Sequence, residues 1–463
     1  MPAVAIGQVV GVAVLSLCAG PAVTLAAQGE APVETPKTGR EVLVQRLRQL
    51  DLPYTDWPLL AFVREKIAAD GAAAQPLIAV ETEMARTSPD ARYRVRLLGV
   101  QLAVEPDTAM RELQLVVTGR DEALAALAAR VLGRCGAPPA KFEALVRDRL
   151  ALESRSSVRG ALVLAAGEAG VTALAPMLRL MLEKGAVPPA EVAWTWTALA
   201  QTADAEMASA ARAWLSQQSP FLGTAVLLAR RFRDPEAERP LVRMLEAGPP
   251  PPVAIWVVQS LGAVGGDAAR RGLRAAIDAD RKAHRDGDVV VGTSIDGRQL
   301  ALLRLGDRDA RAWVEGYVAR SVTLLDAGVA RVPELFGRWR VDGAAATLRE
   351  WVRKGELPLL VRASAARGLC WLGEPYGIEA AADLLGEKVD ALAPEVLEAL
   401  RLLQWTLHDF VADPDRPDCR GLVPGDSKKA ADIGKAWRLW LQQKGRVRWR
   451  IPAEDTENPW LWY

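Results

Sequence analysis

Ser157-Val158-Arg159-Gly160-Ala161-Leu162 runs into Ala165-Ala166-Gly167-Glu168-Ala169-Gly170, and the reading of this stretch decides the fold. An Ala/Leu/Val run closed by glycine reads as a helix followed by a tight turn, because alanine and leucine favour the helix and glycine tolerates the left-handed backbone that ends it. The pattern recurs. Leu360-Val361-Arg362-Ala363-Ser364-Ala365 leads to Trp371-Leu372-Gly373 with Gly377 beyond, and Pro252-Val253-Ala254 leads to Ser260-Leu261-Gly262 with Gly265 and Gly266. A second helix follows each turn, with Ala and Leu three or four apart, as in residues 173–182 and 380–385.

Taking the small residue near the end of each first helix as an anchor gives Ala68, Gly99, Gly133, Gly167, Ala200, Ala229, Gly262, Gly306, Gly337, Gly373 and Thr406. Successive anchors lie 29 to 36 residues apart, with one step of 44. A period near 33 is the size of an αα-hairpin repeat. The long step holds an insertion, residues 286–297, where Gly287, Gly292 and Gly297 surround Val289-Val290-Val291, a pattern that predicts a protruding loop or short hairpin. The expected fold is therefore all-α, an α-solenoid of about ten stacked helix pairs over residues 57–410, with strand confined to the insertion. Asp107, Asp204, Asp267 and Asp342 lie where an N-cap would start the second helix. Gly167 and Gly373 are expected to end first helices with positive φ, so that valine at either costs about 1 kcal/mol or more.

Composition agrees with helices. The chain has 463 residues, too many for one compact core, and is 50% hydrophobic with only 6% aromatic residues. Its net charge is +1, from 58 basic and 57 acidic side chains, which gives no field for attracting nucleic acid or an anionic membrane surface.

These residues resemble a known family. Val158-Arg159 with Gly167 and Gly170, and Val361-Arg362 with Leu372-Gly373, are similar to HEAT repeats, in particular the short, glycine-turn HEAT-like or phycobilisome-lyase type. The resemblance covers most of residues 57–410 and rests on the number of repeats at constant spacing. Beyond it, residues 411–463 form a Trp-rich loop, helix and tail. Leu402-Leu403-Gln404-Trp405-Thr406 with Phe410, then Trp437-Arg438-Leu439-Trp440 and Trp449, resembles the closing segment of exported bacterial HEAT-repeat proteins.

Residues 1–27 contain an uncharged apolar run, then Gly20, Pro21 and small residues, the plan of a signal peptide, although no Lys or Arg precedes the run. Residues 28–56 read as a linker leading into the array. The expectation is an exported, periplasmic or envelope protein with no membrane span in its mature form. Beyond the leader, Cys135, Cys370 and Cys419 are odd in number and read as buried free thiols.

Candidate chemistry is sparse. His284 and His408 have neighbouring aspartates but no second His or Cys at ligand spacing, and no nucleophile elbow, metalloprotease or phosphate-loop motif occurs. Arg111, Arg179, Arg212, Arg274 and Arg349 each lie about twelve residues past an anchor, so they form either a ladder tying each repeat to its neighbour's acidic turn or a basic stripe for a partner. Most tryptophans fall in apolar helical runs and belong to the core, whereas Trp460 and Trp462 end the chain and read as a cap or a docking peptide. The expected function is a non-enzymatic scaffold without cofactor or metal, monomeric, binding a protein partner, with the five arginines and Trp460 and Trp462 as candidate contacts. The alternatives are a HEAT-like-scaffold enzyme of lyase or glycosylase type and a cytoplasmic regulatory scaffold.

Overall fold

The computed structural model describes Val44, Leu47 and residues 57–452, apart from 72–73, 89, 217–218, 251–252, 286–295, 321–326, 388–393, 414–415, 418–426 and 446. Residues 1–42 and 43–463 are separate units, and every described residue belongs to the second. Residues 1–27, the linker apart from Val44 and Leu47, most of the insertion with Val289 to Val291, Cys419, Trp460 and Trp462 lie outside the described residues.

The fold is all-α. First helices are α1 (Trp57–Asp70), α3 (Ala91–Gln101), α5 (Glu122–Arg134), α7 (Ser156–Glu168), α9 (Val192–Thr202), α11 (Leu222–Phe232), α13 (Val253–Val264), α15 (Gly297–Arg304), α17 (Ala327–Arg338), α19 (Leu359–Trp371) and α21 (Pro394–Phe410). Second helices are α2 (Gln75–Met84), α4 (Pro106–Val117), α6 (Pro139–Leu152), α8 (Ala175–Glu183), α10 (Ala205–Ala210), α12 (Glu238–Ala247), α14 (Asp267–Arg285), α16 (Arg308–Arg320), α18 (Ala344–Arg353), α20 (Tyr376–Leu385) and α22 (Ser427–Lys444). First helices pack on one another in two continuous runs, α1 through α15 and α17 through α21, and at the join α15 packs on α13 and on its own partner α16.

The two kinds of helix differ because of where they sit. In α7 the buried residues are Val158, Gly160, Ala161, Leu162, Val163, Ala165, Ala166 and Gly167, burial nearly all the way round. A helix flanked by its predecessor, its successor and its own partner has little face left for water. In α4 only Ala109, Met110, Leu113 and Val117 are buried, one stripe, because the opposite face meets solvent.

Glycine has two separate jobs here. At Gly133, an added Cβ would sit 2.7 Å from the Ala165 Cα, and at Gly167 it would sit 2.7 Å from the Ala198 Cα. These anchors let consecutive first helices touch backbone to backbone, and they keep ordinary helical φ. The expectation that Gly167 ends its helix with positive φ is therefore corrected: the left-handed residue is Gly170, φ +64°, one turn later. Gly373 does have positive φ, +78°. Six first helices close with the same bond, from the N–H of the second residue past the cap to a carbonyl five residues back: Ala137 to Leu132, Val171 to Ala166, Asp234 to Ala229, Asp307 to Leu302, Val341 to Phe336 and Glu374 to Leu369. The left-handed position before each donor is Gly136, Gly170, Arg233, Gly306, Arg340 and Gly373. An L-side chain in that conformation costs about 1–2 kcal/mol, and the two arginines bear that cost. Gly373→Val should lower stability by about 1–2 kcal/mol, since nothing lies within 4 Å of its Cβ position and backbone strain acts alone. Gly373→Asn should recover part of that loss in the same thermal melts, asparagine being tolerant of this region.

Capping also departs from expectation. Asp204 caps α10 by accepting from the Met207 N–H at 2.8 Å. Asp107 lies in the first turn of α4, because Pro106 starts that helix a residue earlier, and Asp267 is the first residue of α14. Gly343, not Asp342, stands at the cap of α18. Side chains that do cap include Asp90, Asp121, Asp296 and Asp307.

Beyond residues 57–410, an isolated antiparallel bridge joins Val411 to Trp449. Asp413 accepts from the Arg448 N–H and pairs with Lys444, so the tail folds against the end of α21.

Candidate partner-binding surface

The five arginines of the second helices all have acceptors. Arg212 meets Asp234 at 2.9 Å and also Glu236, Arg274 meets Asp307 at 2.8 Å, and Arg349 meets Glu374. Those three carboxylates belong to Asp234, Asp307 and Glu374, whose backbone N–H groups donate the closing bond of the next first helix. One arginine thus fixes the turn of the following pair. Where that turn position is Ala137, no carboxylate is available and Arg111 reaches back to the Asp107 carbonyl at 3.4 Å. Arg179 pairs within its helix with Glu183 at 2.9 Å and lies over the Trp214 ring at 5.5 Å. The exposed pair of Arg179 with Glu183 is worth about 0–1 kcal/mol.

A buried network ties the last three first helices. Arg367 on α19 binds Glu334 on α17 at 3.0 Å and Asp409 on α21 at 2.8 Å, and Trp371 Nε1 donates to Glu334 at 3.0 Å. Burial alone would raise the Glu334 carboxyl, but attraction from Arg367 and Arg331 outweighs it and holds the group below the usual carboxylate range. Asp409 is likewise lowered against burial, through hydrogen bonds and charge from His408 and Arg367. His408 is thus engaged with Asp409, at 3.2 Å. Cys135 and Cys370 are buried free thiols, and burial pushes the Cys135 thiol up to about 11, far from a reactive thiolate at neutral pH.

Tryptophans on both kinds of helix enter the core. Trp256, Trp351, Trp371 and Trp437 are buried, while Trp196 is half-buried and donates to the Pro220 carbonyl at 2.7 Å.

Sequence reasoning passed over a recurring apolar feature on the second helices. Ile78, Leu113 and Leu178 are fully buried, and the residues two positions on, Val80, Leu115 and Leu180, are 51%, 67% and 46% exposed. Two residues advance a helix by about 200°, so all three side chains stand on the face opposite the core. Met84 and Leu152, also exposed, extend the feature at the ends of α2 and α6. In the third pair Asp148 takes the equivalent place, two residues after buried Val146. The signal was present in the sequence as apolar residues off the buried stripe, but inside runs so rich in Leu and Ala that they merged with the core.

A second missed feature is a cleft lined by Arg233, Arg304, Arg338 and Arg340. Among the described residues no group of three or more His, Cys, Asp or Glu is placed to hold a metal ion, and no helix is long and apolar enough to cross a membrane. No protein-family model, curated protein or solved structure matches the chain.

Proposed function

We propose that this chain is a non-enzymatic binding scaffold of the HEAT-like kind, which holds a protein partner at the bacterial cell envelope along the solvent-facing side of its N-terminal second helices. The observation that carries the reading is the recurrence of exposed Val80, Leu115 and Leu180 on the face opposite the buried stripe in three of the first four second helices, with Met84 and Leu152 at the ends of α2 and α6. Large apolar side chains scattered singly need no explanation, but their repetition on one face along an array marks an interaction surface. The arginines complement this: Arg212, Arg274 and Arg349 are spent on joining neighbouring pairs, and Arg111 and Arg179 bond within their own helices, which leaves recognition to the apolar positions. The leader-like composition of residues 1–27 supports the envelope as the compartment.

The test is a Leu115→Glu, Leu180→Glu double variant. Both positions are exposed, so stability should change by no more than about 0.5 kcal/mol per site. Recovery of the partner with the tagged chain from an envelope fraction should fall by roughly tenfold or more. Undiminished recovery would sink the reading.

A further inference from the structure

Among the described residues, consecutive first helices stack at every step except that from α15 to α17. On either side of this step backbone meets backbone. A Cβ at Gly262 of α13 would lie 2.9 Å from the Ala301 Cα of α15, and one at Gly337 of α17 would lie 2.6 Å from the Gly368 Cα of α19. At the step itself the C-terminal ends of α15 and α17 wall a cleft of about 360 Å³, with Arg304 and Leu305 from one helix and Arg338, Trp339 and Arg340 from the other. The ends of α11 and α13 complete its lining. A cleft of this size has room for water, which enters or leaves as the walls move.

Two kinds of contact cross the step. In the layer of second helices they are polar and directional. Arg311 of α16 donates to the Thr347 hydroxyl of α18 at 3.1 Å and to the Asp342 carbonyl, and the same hydroxyl donates to Glu315 of α16 at 3.2 Å. Hydrogen bonds weaken steeply when their length or angle is forced, so these ties fix one edge of the joint. In the layer of first helices the contacts are apolar or stacked. Leu300 and Leu303 of α15 share a hydrophobic cluster with Val332 and Phe336 of α17, and Arg304 lies over the Trp339 ring at 5.6 Å. Burial of apolar surface is non-directional, and it persists while one surface tilts or slides on another.

A joint tied along one edge, bordered by a cleft along the other and flanked by close-packed stacks has the construction of a hinge. We propose that α1 through α16 and α17 through α22 are two arms, and that the second swings about the Arg311, Thr347 and Glu315 ties as the cleft opens and closes. Exposed Val80, Leu115 and Leu180 lie wholly within the first arm, so the motion is separate from capture of a partner there. A molecule that touches both arms selects one angle between them.

The experiment is pulsed dipolar distance measurement between spin labels on the full chain, the labels carried by unnatural amino acids so that the native cysteines stay in place. Labels at exposed Glu246 and Glu356 span three helix pairs across the joint, and labels at exposed Ser154 and Glu246 span three pairs within the first arm. Steps of about 8–10 Å put both spans within reach of the method. The distance distribution across the joint should be roughly twice as wide as that within the arm. Thr347→Val removes the shared hydroxyl and should widen the distribution across the joint further, while an unchanged distribution from Ser154 to Glu246 reports that the variant is folded. Equal widths for the two spans in wild type would overturn the proposal, and so would a Thr347→Val distribution across the joint no wider than that of wild type.

Discussion

Arg367→Met should destabilise the protein by about 3–5 kcal/mol, the largest effect expected from any single change among the described residues. Arg367 is 13% exposed and joins Glu334 and Asp409, which come from the first helices on either side of its own. Methionine fills a similar volume, so the loss is not one of packing. It comes from leaving two poorly solvated carboxylates without their cation. The pH dependence distinguishes this cause from a cavity. In wild type both carboxyls are depressed, so their contribution is fully present above the ordinary carboxylate range near 4 and is lost as pH falls through the lowered folded values. Without Arg367 both carboxyls rise, with only Arg331 and Trp371 beside Glu334 and His408 beside Asp409 left to oppose burial, so acidification costs the variant less than it costs wild type. The stability gap between variant and wild type should therefore narrow as pH falls from 7 toward 3 in urea titrations. A gap constant over that interval would show that the network's charges do not carry the effect.

Gly337→Val should cost about 3 kcal/mol, close to the largest overpacking penalties. A Cβ at Gly337 would run into the Gly368 backbone, with that residue's Cα 2.6 Å away, and backbone cannot swing aside as a side chain would. The expected control is Gly355→Ala, a turn glycine with nothing within 4 Å of its Cβ position, which should stay within about 0.5 kcal/mol. Equal losses at both sites, measured by thermal melts, would mean that close approach of α17 and α19 is not what Gly337 provides.

The all-α class and the positions of the turns were legible because their signals are local: alanine and leucine runs, proline at helix starts, and glycine at a period near 33. The role of each glycine was not. Gly133 and Gly136, Gly167 and Gly170, and Gly262 and Gly265 stand three residues apart in one turn, and nothing in the sequence says which packs and which bends. Only the facing helix decides, as Ala165, Ala198 and Ala301 do. The arginines at 233 and 340 were illegible for a related reason, because arginine is an ordinary helix former and its left-handed backbone appears only in the folded chain. The ladder was half legible: arginine spacing located the second helix, while the acid at the next closing turn decides whether the guanidinium crosses to it. Val80, Leu115 and Leu180 needed the buried stripe of each helix to be known first, since their chemistry is that of the core.

The most direct test of a partner held along the second helices is photocrosslinking from single sites in living cells. A photoreactive phenylalanine analogue would be placed in turn at Val80, Leu115 and Leu180, and at exposed Gly355 and Glu356 in a distant turn. The three apolar positions are expected to yield one common adduct, and the distant turn none. Adducts that differ among Val80, Leu115 and Leu180, or that form equally at the distant turn, would contradict the account.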